Sequence, residues 1–510
     1  MTKVFTRLLA ALMIASIVMT TAASAQTLRV GLSNEPSNLD PAIQAGTAAR
    51  AVRLLVYRGL FAYNGPNGDL VQELVERYEV ADDNVTYTFH LKDATFHDGR
   101  PVTAADAKFT LERILDPATG ATFRNLFQVI DAIEAVDERT LVIQLTTPTA
   151  PFLHYLALPE SAVVSAAYVQ DTGGNWNSAP IGAGPFRFVD YARGQHMRLE
   201  AFDGFYTEGV PASDTIVFEF YPDSSLRMNA LRNGDVDIIE YVAWRDKPIL
   251  ERDPDVKILG GTGPFMGLIF NVTEGPFSHP LVRQAVAYAI DRQVVIDTAF
   301  SGQGLPIYGM IVPENSIAYD PTFDGYFSYD PQRARELLAE AGYPDGFSAT
   351  LLATGQYDFH MNTAIAVQSE LAKVGITLEL DLPDWATRLE KNLAAQYEML
   401  VVGTAGDIQD PDFLSDYFRG GAVGLNNAPG FDHPEMNELL ALGRSTLDPA
   451  ERAAIYRRVQ EIALEQSPLV FLMWRDQSYA ASVDVEGFEP MPGFLSFQSG
   501  IMLERAYVTR

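Results

Sequence analysis

"FSATLLATGQYDFHMNTAIAVQSELAKVGITLELDLPDWATRLEKNLAAQYEMLVVGTAGDIQDPDF" occupies residues 347–413 and decides the fold of this 510-residue chain. It alternates short apolar runs, which are typical of strands, with longer segments of helical character. The predicted strands are 347–353, 376–382 and 397–402, and the predicted helices between them are 360–375 and 385–395. This β-α-β-α-β order predicts a parallel, doubly wound sheet, because each helix must carry the chain back to the same edge. The sequence therefore predicts an α/β protein.

An acidic loop, "GTAGDIQDPDF" at 403–413, follows the last of these strands. Ligands of doubly wound sheets bind beyond the carboxyl ends of the strands, so this loop lies where a ligand is expected. Asp410 before Pro411 has the pattern of a helix cap followed by proline at the first helical position. This cap pattern does not account for Asp407, which lies close to Thr404 and is predicted to face a crevice. A cap role, or an ion pair with a nearby arginine, is the alternative for Asp407.

The first 25 residues have the pattern of a secretory signal peptide. A short basic segment, "MTKVFTR", precedes the apolar "LLAALMIASIVMTTAA", and small residues at 23–25 form a cleavage site before Gln26. No later stretch approaches the ~20 apolar residues of a membrane-spanning helix. The chain contains no cysteine, so it has neither a disulfide framework nor a cysteine for lipid attachment. We therefore expect a free protein of the periplasm.

The formal net charge of −29 limits the partners of this chain. Nucleic acid and anionic lipid both repel such an acidic protein, so we expect no nucleic-acid partner and no direct insertion into a membrane. The chain also exceeds the ~250–300 residues at which a single hydrophobic core stops growing. Two or three domains are therefore predicted.

Local motifs of metal sites and enzymes are missing from the sequence. The seven histidines form no HExxH or H-x-H pair, and an EF-hand counted from Asp407 places Gln409 and Pro411 at ligand positions. Nucleophile elbows, glycine-rich dinucleotide motifs and phosphate-binding loops are likewise missing. We expect no metal, no cofactor and no catalytic residue, although a secreted hydrolase with a dispersed site stays open as an alternative.

Seven motifs lie in order along nearly the whole chain after the signal peptide. They are "EPSNLDP" (35–41), "TYTFHLKDATFHDGRPVTAADAKFTLERI" (86–114), "GAGPFRFVDYARGQHMRLE" (182–200), "ALRNGDVDI" (230–238), "FNVTEGPFSHPLVRQAVAYAIDR" (270–292), "YDPQRARELLAEAGYPDGF" (329–347) and "AGDIQDPDF" (405–413). The second motif, with its "FHDG" and "TAADAKF", is highly specific. Together the motifs resemble family 5 of the extracellular solute-binding proteins, the peptide/dipeptide/nickel type that serves ABC importers.

That resemblance implies a two-lobed periplasmic binding protein fold, type II-like and of the large peptide-binding class, with an extra subdomain inserted in the first lobe. The implied division is a signal peptide at 1–25, lobe I at 26–270 with the insertion at about 64–185, lobe II at 271–476, and a return to lobe I at 477–510. Such lobes close around a ligand by a hinge motion. The resemblance also implies a monomer that delivers its solute to a membrane permease and, through it, to ATPase subunits.

Two ligand contacts follow from the resemblance at the acidic loop and the helix before it. In peptide-binding relatives, the aspartate at the position of Asp407 pairs with the α-ammonium of the ligand. Closing the lobes strips water from that ammonium, and a buried charge without a partner is costly. Trp385 resembles the tryptophan that walls the pocket, with packing on the core as its alternative. Thr404 is a candidate only because it lies near Asp407.

The first lobe supplies the other candidates by resemblance. "IQAGT" at 43–47 matches a loop whose backbone approaches the ligand, which makes Gly46 and Thr47 candidate contacts. Gly46 permits a close approach because it has no side chain, although an ordinary turn explains it equally well. Gln356, within the predicted lobe II, is a further candidate contact, because it stands in the region where dipeptide-binding relatives place an arginine.

The sequence departs from the dipeptide-binding pattern in that region. Thr354, Gly355 and Gln356 stand where an arginine would grip the carboxylate of the ligand, and glutamine cannot supply that charge. We therefore expect an oligopeptide or dipeptide, with a non-peptide solute such as an opine, an amino-acid derivative, a sugar or a metal chelate as the first alternative. A periplasmic peptide-binding chaperone is an alternative of another class.

Overall fold

The structure is a computed structural model that describes residues 26–43, 46–421 and 424–510. The predicted signal peptide therefore lies outside the described residues. The strands are β1 (Thr27–Leu32), β2 (Phe61–Asn64), β3 (Asp69–Gln72), β4 (Val75–Val80), β5 (Thr86–Leu91), β6 (Ile130–Ala135), β7 (Thr140–Leu145), β8 (Phe186–Ala192), β9 (His196–Ala201), β10 (Thr215–Phe220), β11 (Ile238–Ile239), β12 (Val256–Phe270), β13 (Gly304–Pro306), β14 (Phe347–Leu352), β15 (Ile376–Asp381), β16 (Met399–Thr404), β17 (Leu469–Ser482), β18 (Val485–Glu486) and β19 (Tyr507–Val508).

The α-helices surround these strands and range from one turn to five. They are α1 (Thr47–Val56), α2 (Ala104–Leu115), α3 (Arg124–Phe127), α4 (Phe152–Tyr155), α5 (Ala166–Thr172), α6 (Ser224–Asn233), α7 (Lys247–Leu250), α8 (Pro280–Ala289), α9 (Arg292–Phe300), α10 (Pro331–Glu340), α11 (Asp358–Ala372), α12 (Trp385–Leu393), α13 (Ser415–Phe418), α14 (Pro434–Ser445) and α15 (Pro449–Gln466). No helix in the described part of the chain is long and apolar enough to cross a membrane.

Short-range signals in the sequence set where several helices begin. Helix α2 starts at a capping box, in which the Thr103 side chain accepts from the Asp106 backbone and the Asp106 carboxylate accepts from the Thr103 backbone. Helices α10 and α15 start with Asp330 and Asp448 as caps, each followed by proline at the first helical position.

An eleven-stranded mixed sheet runs through the molecule. Its strand order is β15-β14-β16-β12-β17-β11-β1-β10-β9-β8, with β13 paired to β17. Strand β14 pairs in parallel with both β15 and β16, so the predicted β-α-β-α-β unit is confirmed. Beyond that unit the sheet is not purely parallel, because β16 pairs antiparallel with β12 and β12 antiparallel with β17.

Both faces of this sheet are buried around β12 and β16. Phe265 and Ile269 of β12 belong to one apolar cluster, whereas Met266, Leu268 and Phe270 belong to the other. Successive strand residues point to opposite faces, and a strand covered on both faces is apolar at nearly every position. This arrangement explains the uninterrupted apolar character of the strand that precedes the acidic loop.

Strands β12 and β17 cross the middle of the long sheet together. They pair antiparallel from Val256 opposite Ser482 to Ile269 opposite Leu469, with an irregularity between Thr262 and Phe265. One end of β12 also pairs with β16, and the opposite end of the strand pair joins β11 through β17. The two strands therefore belong to both halves of the sheet.

A separate four-stranded antiparallel sheet, in the order β4-β5-β7-β6, lies within residues 75–145. Its strands fall inside the range predicted for the inserted subdomain. The residue limits given for that subdomain, for the two lobes and for the C-terminal return stay predictions.

Candidate ligand-binding cleft

The acidic loop begins where β16 ends, and two of its three aspartates are held inside the protein. Asp410 caps a 3-10 helix at Pro411–Leu414 through the backbone nitrogen of Asp412, at 2.9 Å, so the predicted cap is confirmed. The carboxylate of Asp410 also receives two bonds from Arg452, at 2.7 and 2.9 Å. Asp412 accepts from the hydroxyl of Tyr155 at 2.6 Å. These two carboxylates therefore fix the loop rather than face a ligand.

Asp407 differs because its carboxylate is partly exposed. Its Oδ1 lies 3.1 Å from Nη1 of Arg50, whose Nη2 lies 2.9 Å from the carboxylate of Glu160. The Asp407 side chain is 22% exposed, whereas those of Arg50 and Glu160 are almost fully buried. Burial and the nearby Glu160 carboxylate raise the pKa of Asp407, and the Arg50 guanidinium opposes that rise. The arginine pair named as an alternative thus exists, while the ammonium contact stays a prediction.

Trp385 and Gln356 meet beyond the carboxyl ends of the parallel strands β15 and β14. The side-chain oxygen of Gln356 accepts from the backbone nitrogen of Trp385 at 3.1 Å. The half-buried indole of Trp385 packs against Tyr357 and His360, with ring centroids 5.4 and 5.8 Å away. The guanidinium of Arg388 lies 4.9 Å from the same indole. Trp385 is therefore surrounded by aromatic and cationic groups rather than by the aliphatic core.

Gly46 and Thr47 lie at the start of α1, one turn before Arg50. Gly46 is the N-cap residue, with an ordinary φ of −61°, and a methyl group at its Cα would meet nothing within 4 Å. The backbone therefore does not require glycine, and the position borders open space. Thr47 shares a hydrogen bond with the hydroxyl of Tyr241, whose pKa burial raises. Thr404 donates its hydroxyl to the carbonyl of Ala405 at 3.2 Å.

Sequence reasoning missed a group of residues that links these two sides. The guanidinium of Arg475 lies 4.9 Å from the ring of Phe359, which in turn lies 4.7 Å from the ring of His360. Arg475 also contacts the hydroxyl of Tyr241. A continuous row of contacts thus joins Trp385, on one side, to the start of α1 on the other. The arginine that directly follows the apolar run "LVFLMW" (469–474) was the signal that could have revealed it.

His360 makes the free energy of unfolding of this protein depend on pH. Burial, together with the charges of Arg388 and Arg475, lowers its pKa from 6.5 to about 3. The unfolded chain therefore takes up a proton first as the pH falls below 6.5, and the native state loses stability from there down to about pH 3.

We expect His360 to lower the free energy of unfolding by about 3 kcal/mol at pH 4 relative to pH 8. Between pH 8 and pH 4 the variant His360→Gln should lose about 3 kcal/mol less of its free energy of unfolding than the wild type does. Urea denaturation at each pH measures this difference. The wild type, measured at the same pH values, is the reference. Equal slopes for the two proteins would contradict the assignment.

A cavity of about 620 Å³ lies apart from the six candidate residues. Tyr308, Trp474, Phe494 and Gln409 are among its lining residues, and none of the candidates is. Since Trp474 and Arg475 are consecutive in β17, their side chains point to opposite faces of the strand. Among the described residues, no group of three or more potential metal ligands was found.

The long crossing strands and the parallel unit give the two-lobed fold of periplasmic binding proteins, as comparison with solved structures shows. A solved structure of AgaA in complex with agropinic acid, from A. tumefacien R10, matches with a TM-score of 0.86 and 49% identity, covering 95% of this chain and 99% of that one. DppA from Helicobacter pylori in complex with the peptide STSA matches with a TM-score of 0.83 and 24% identity, covering 95% and 98%. At that identity, the second match shows the fold alone.

The family model for bacterial extracellular solute-binding proteins, family 5, matches residues 69–426. The glutathione-binding protein GsiB of Escherichia coli (strain K12) is 31% identical over 495 residues, which covers 95% of this chain and 96% of that protein. The chain belongs to family 5 of the bacterial extracellular solute-binding proteins.

Proposed function

We propose that this protein is exported to the periplasm, where it captures a small amino-acid derivative with an ammonium group, the size of an opine or a short peptide. It delivers this solute to the permease of an ABC importer and, through the permease, to the ATPase subunits. It acts as a monomer, and it carries out no reaction on the solute.

The observation that carries the proposal is the partly open carboxylate of Asp407. Arg50 engages its Oδ1, and no described residue donates a hydrogen bond to its Oδ2. One oxygen therefore anchors the side chain while the other is available to an ammonium. A carboxylate at ~4 Å contributes about 4 kcal/mol to a unit positive charge at an effective dielectric near 20, which is enough to select amines over neutral solutes.

The relatives support a small amino-acid derivative with a carboxylate rather than a long peptide, and of their two ligands glutathione is the one that carries an ammonium group. AgaA, with 49% identity, was solved with agropinic acid, and GsiB, with 31% identity, is named for glutathione. Glutathione is a small peptide with a free ammonium and two carboxylates. The solved peptide complex with DppA lies at 24% identity. The opine and short-peptide alternatives from the sequence are therefore the ligands to test first.

Replacing Asp407 with asparagine should weaken an amine-bearing ligand by about 2 kcal/mol, because it removes one partner of a charge pair that closure shields from water. Isothermal titration calorimetry measures the change. Glu274→Gln is the matched control, since Glu274 is an exposed carboxylate at the opposite end of the sheet. Equal affinity of the wild type and Asp407→Asn would remove Asp407 from the ligand site.

Native mass spectrometry of the purified protein tests the ligand class directly. We expect a single co-purified solute in 1:1 ratio whose mass and fragmentation identify an amine-bearing amino-acid derivative, recovered intact. Turnover of an added peptide or glycoside would instead support a hydrolase. Simultaneous binding of several unfolded segments without saturation would support a chaperone.

A further inference from the structure

One arginine on β17 lacks the partners that buried arginines normally have. Arg475 is 5% exposed and lies where β17 passes from one half of the long sheet to the other. Its Nε finds no hydrogen-bond acceptor within residues 26–43, 46–421 and 424–510. Its described contacts are the ring face of Phe359 and the hydroxyl of Tyr241. Neither of them carries the negative charge that a buried guanidinium requires.

Other buried arginines show how this protein usually satisfies such a group. One set contacts carboxylates and a second set donates to main-chain carbonyls. The first comprises Arg50, Arg58 and Arg452, and the second comprises Arg227, Arg283 and Arg292. Among the described residues, Arg475 has a partner of neither kind. A buried charge without a counter-charge is unfavourable, so this guanidinium is suited to an anion from outside the chain.

The neighbours of Arg475 carry further unsatisfied polar atoms. The side-chain oxygen of Gln477 and Nδ1 of His360 are buried without a hydrogen-bond partner in the described structure. Tyr241 has a φ of 52°, in the left-handed region that residues other than glycine seldom adopt and that is enriched at functional sites. Gln477, His360 and Tyr241 come from β17, α11 and the segment after β11, so separate parts of the fold converge at Arg475.

The charge around this point favours an anion. Arg388 and Arg475 both act on His360, and their positive charges help to keep that histidine neutral. The carboxylate of Glu240, beside Tyr241, is taken up by the backbone nitrogen and hydroxyl of Ser33, at 2.8 and 2.7 Å. The group that suits an anion is therefore the guanidinium of Arg475, and the hydroxyl of Tyr241 lies in contact with it.

We infer that Arg475, together with the hydroxyl of Tyr241, forms a subsite that binds a carboxylate of the ligand. This inference rests on the proposed function, because the anion is a group of the captured solute. The guanidinium of Arg475 on β17 supplies the positive charge that Gln356, which follows β14, lacks. Asp407 and Arg475 then select a solute with an ammonium and a carboxylate.

The variant Arg475→Gln tests the subsite by isothermal titration calorimetry. The probes are glutathione, agropinic acid and, for each, the analogue in which every carboxylate is replaced by a carboxamide. We expect binding of the carboxylate probes to fall about 100-fold, because the variant removes one partner of a buried charge pair. Binding of the carboxamides should change little. Arg245→Gln is the control, since Arg245 is an exposed arginine near Tyr241. An equal loss for acids and carboxamides, or no loss, would overturn the subsite.

A second variant tests the subsite without any ligand. If the guanidinium has no counter-charge until a ligand binds, Arg475→Met removes an unfavourable buried charge. The Tm of the ligand-free variant should then equal or exceed that of the wild type. A clearly lower Tm would assign a structural role to Arg475 and overturn the inference. If the wild type binds no amine-bearing acid at all, the proposed function fails, and the Tm still reports on Arg475 separately.

Discussion

Replacing Arg50 with methionine is expected to lower the free energy of unfolding by about 3–5 kcal/mol. Arg50 bridges the carboxylates of Glu160 and Asp407, and its own side chain is 3% exposed. Methionine fills a similar volume but leaves a buried negative charge on Glu160, whose remaining partner, Arg53, lies 3.7 Å away. Urea denaturation followed by tryptophan fluorescence measures the change.

The double variant Arg50→Met/Glu160→Gln is the control for Arg50→Met. Because the second substitution removes the orphaned charge, we expect it to restore a large part of the lost stability. A loss below about 1 kcal/mol for Arg50→Met, the range of exposed ion pairs, would show that the pair is not buried in solution. Arg50→Met should also disorder the Asp407 side chain and so weaken binding of amine-bearing ligands.

Replacing Arg452 with methionine is expected to have an effect of similar size, about 3–5 kcal/mol, on the acidic loop. Arg452 donates two bonds to Asp410, and both side chains are nearly buried. Without the guanidinium, the carboxylate of Asp410 keeps its cap bond to Asp412 but loses its counter-charge. The same urea denaturation, together with proteolysis within 403–413, measures the loss.

Arg458→Met is the matched control, on the same helix α15. Arg458 forms its ion pair with Glu435 at the surface, at 2.8 Å, with a side chain that is 39% exposed. Exposed pairs contribute about 0–1 kcal/mol, so this variant should be nearly as stable as the wild type. Equal losses for Arg452→Met and Arg458→Met would contradict the buried character of the Arg452 pair.

Local patterns in the sequence were sufficient for the elements that carry the cleft. The alternation of apolar runs and helices in 347–402 predicted the parallel unit because strand and helix periods are short-range properties. The cap role of Asp410 followed equally from its position before Pro411. These predictions hold because the interactions that decide them lie within a few residues of one another.

The sequence could not reveal partners that are far apart along the chain. Arg50 lies at the start of the chain and Asp407 near its end, so no spacing rule predicts their ion pair. For the same reason Arg475 and Tyr241 were missed, although each carries an unusual feature in the structure. Ligand contacts were therefore predictable only through resemblance to a family, and those predictions await the binding measurements.

The pairing of Arg50 with Asp407 has a consequence for the order of folding. The two residues are 357 positions apart. Contacts of such separation form late, because a long loop must close before they can stabilise anything. A chain that ends before residue 407 contains most of its helices and strands but cannot complete this contact. Only a molecule that includes both residues should therefore be able to bind its ligand.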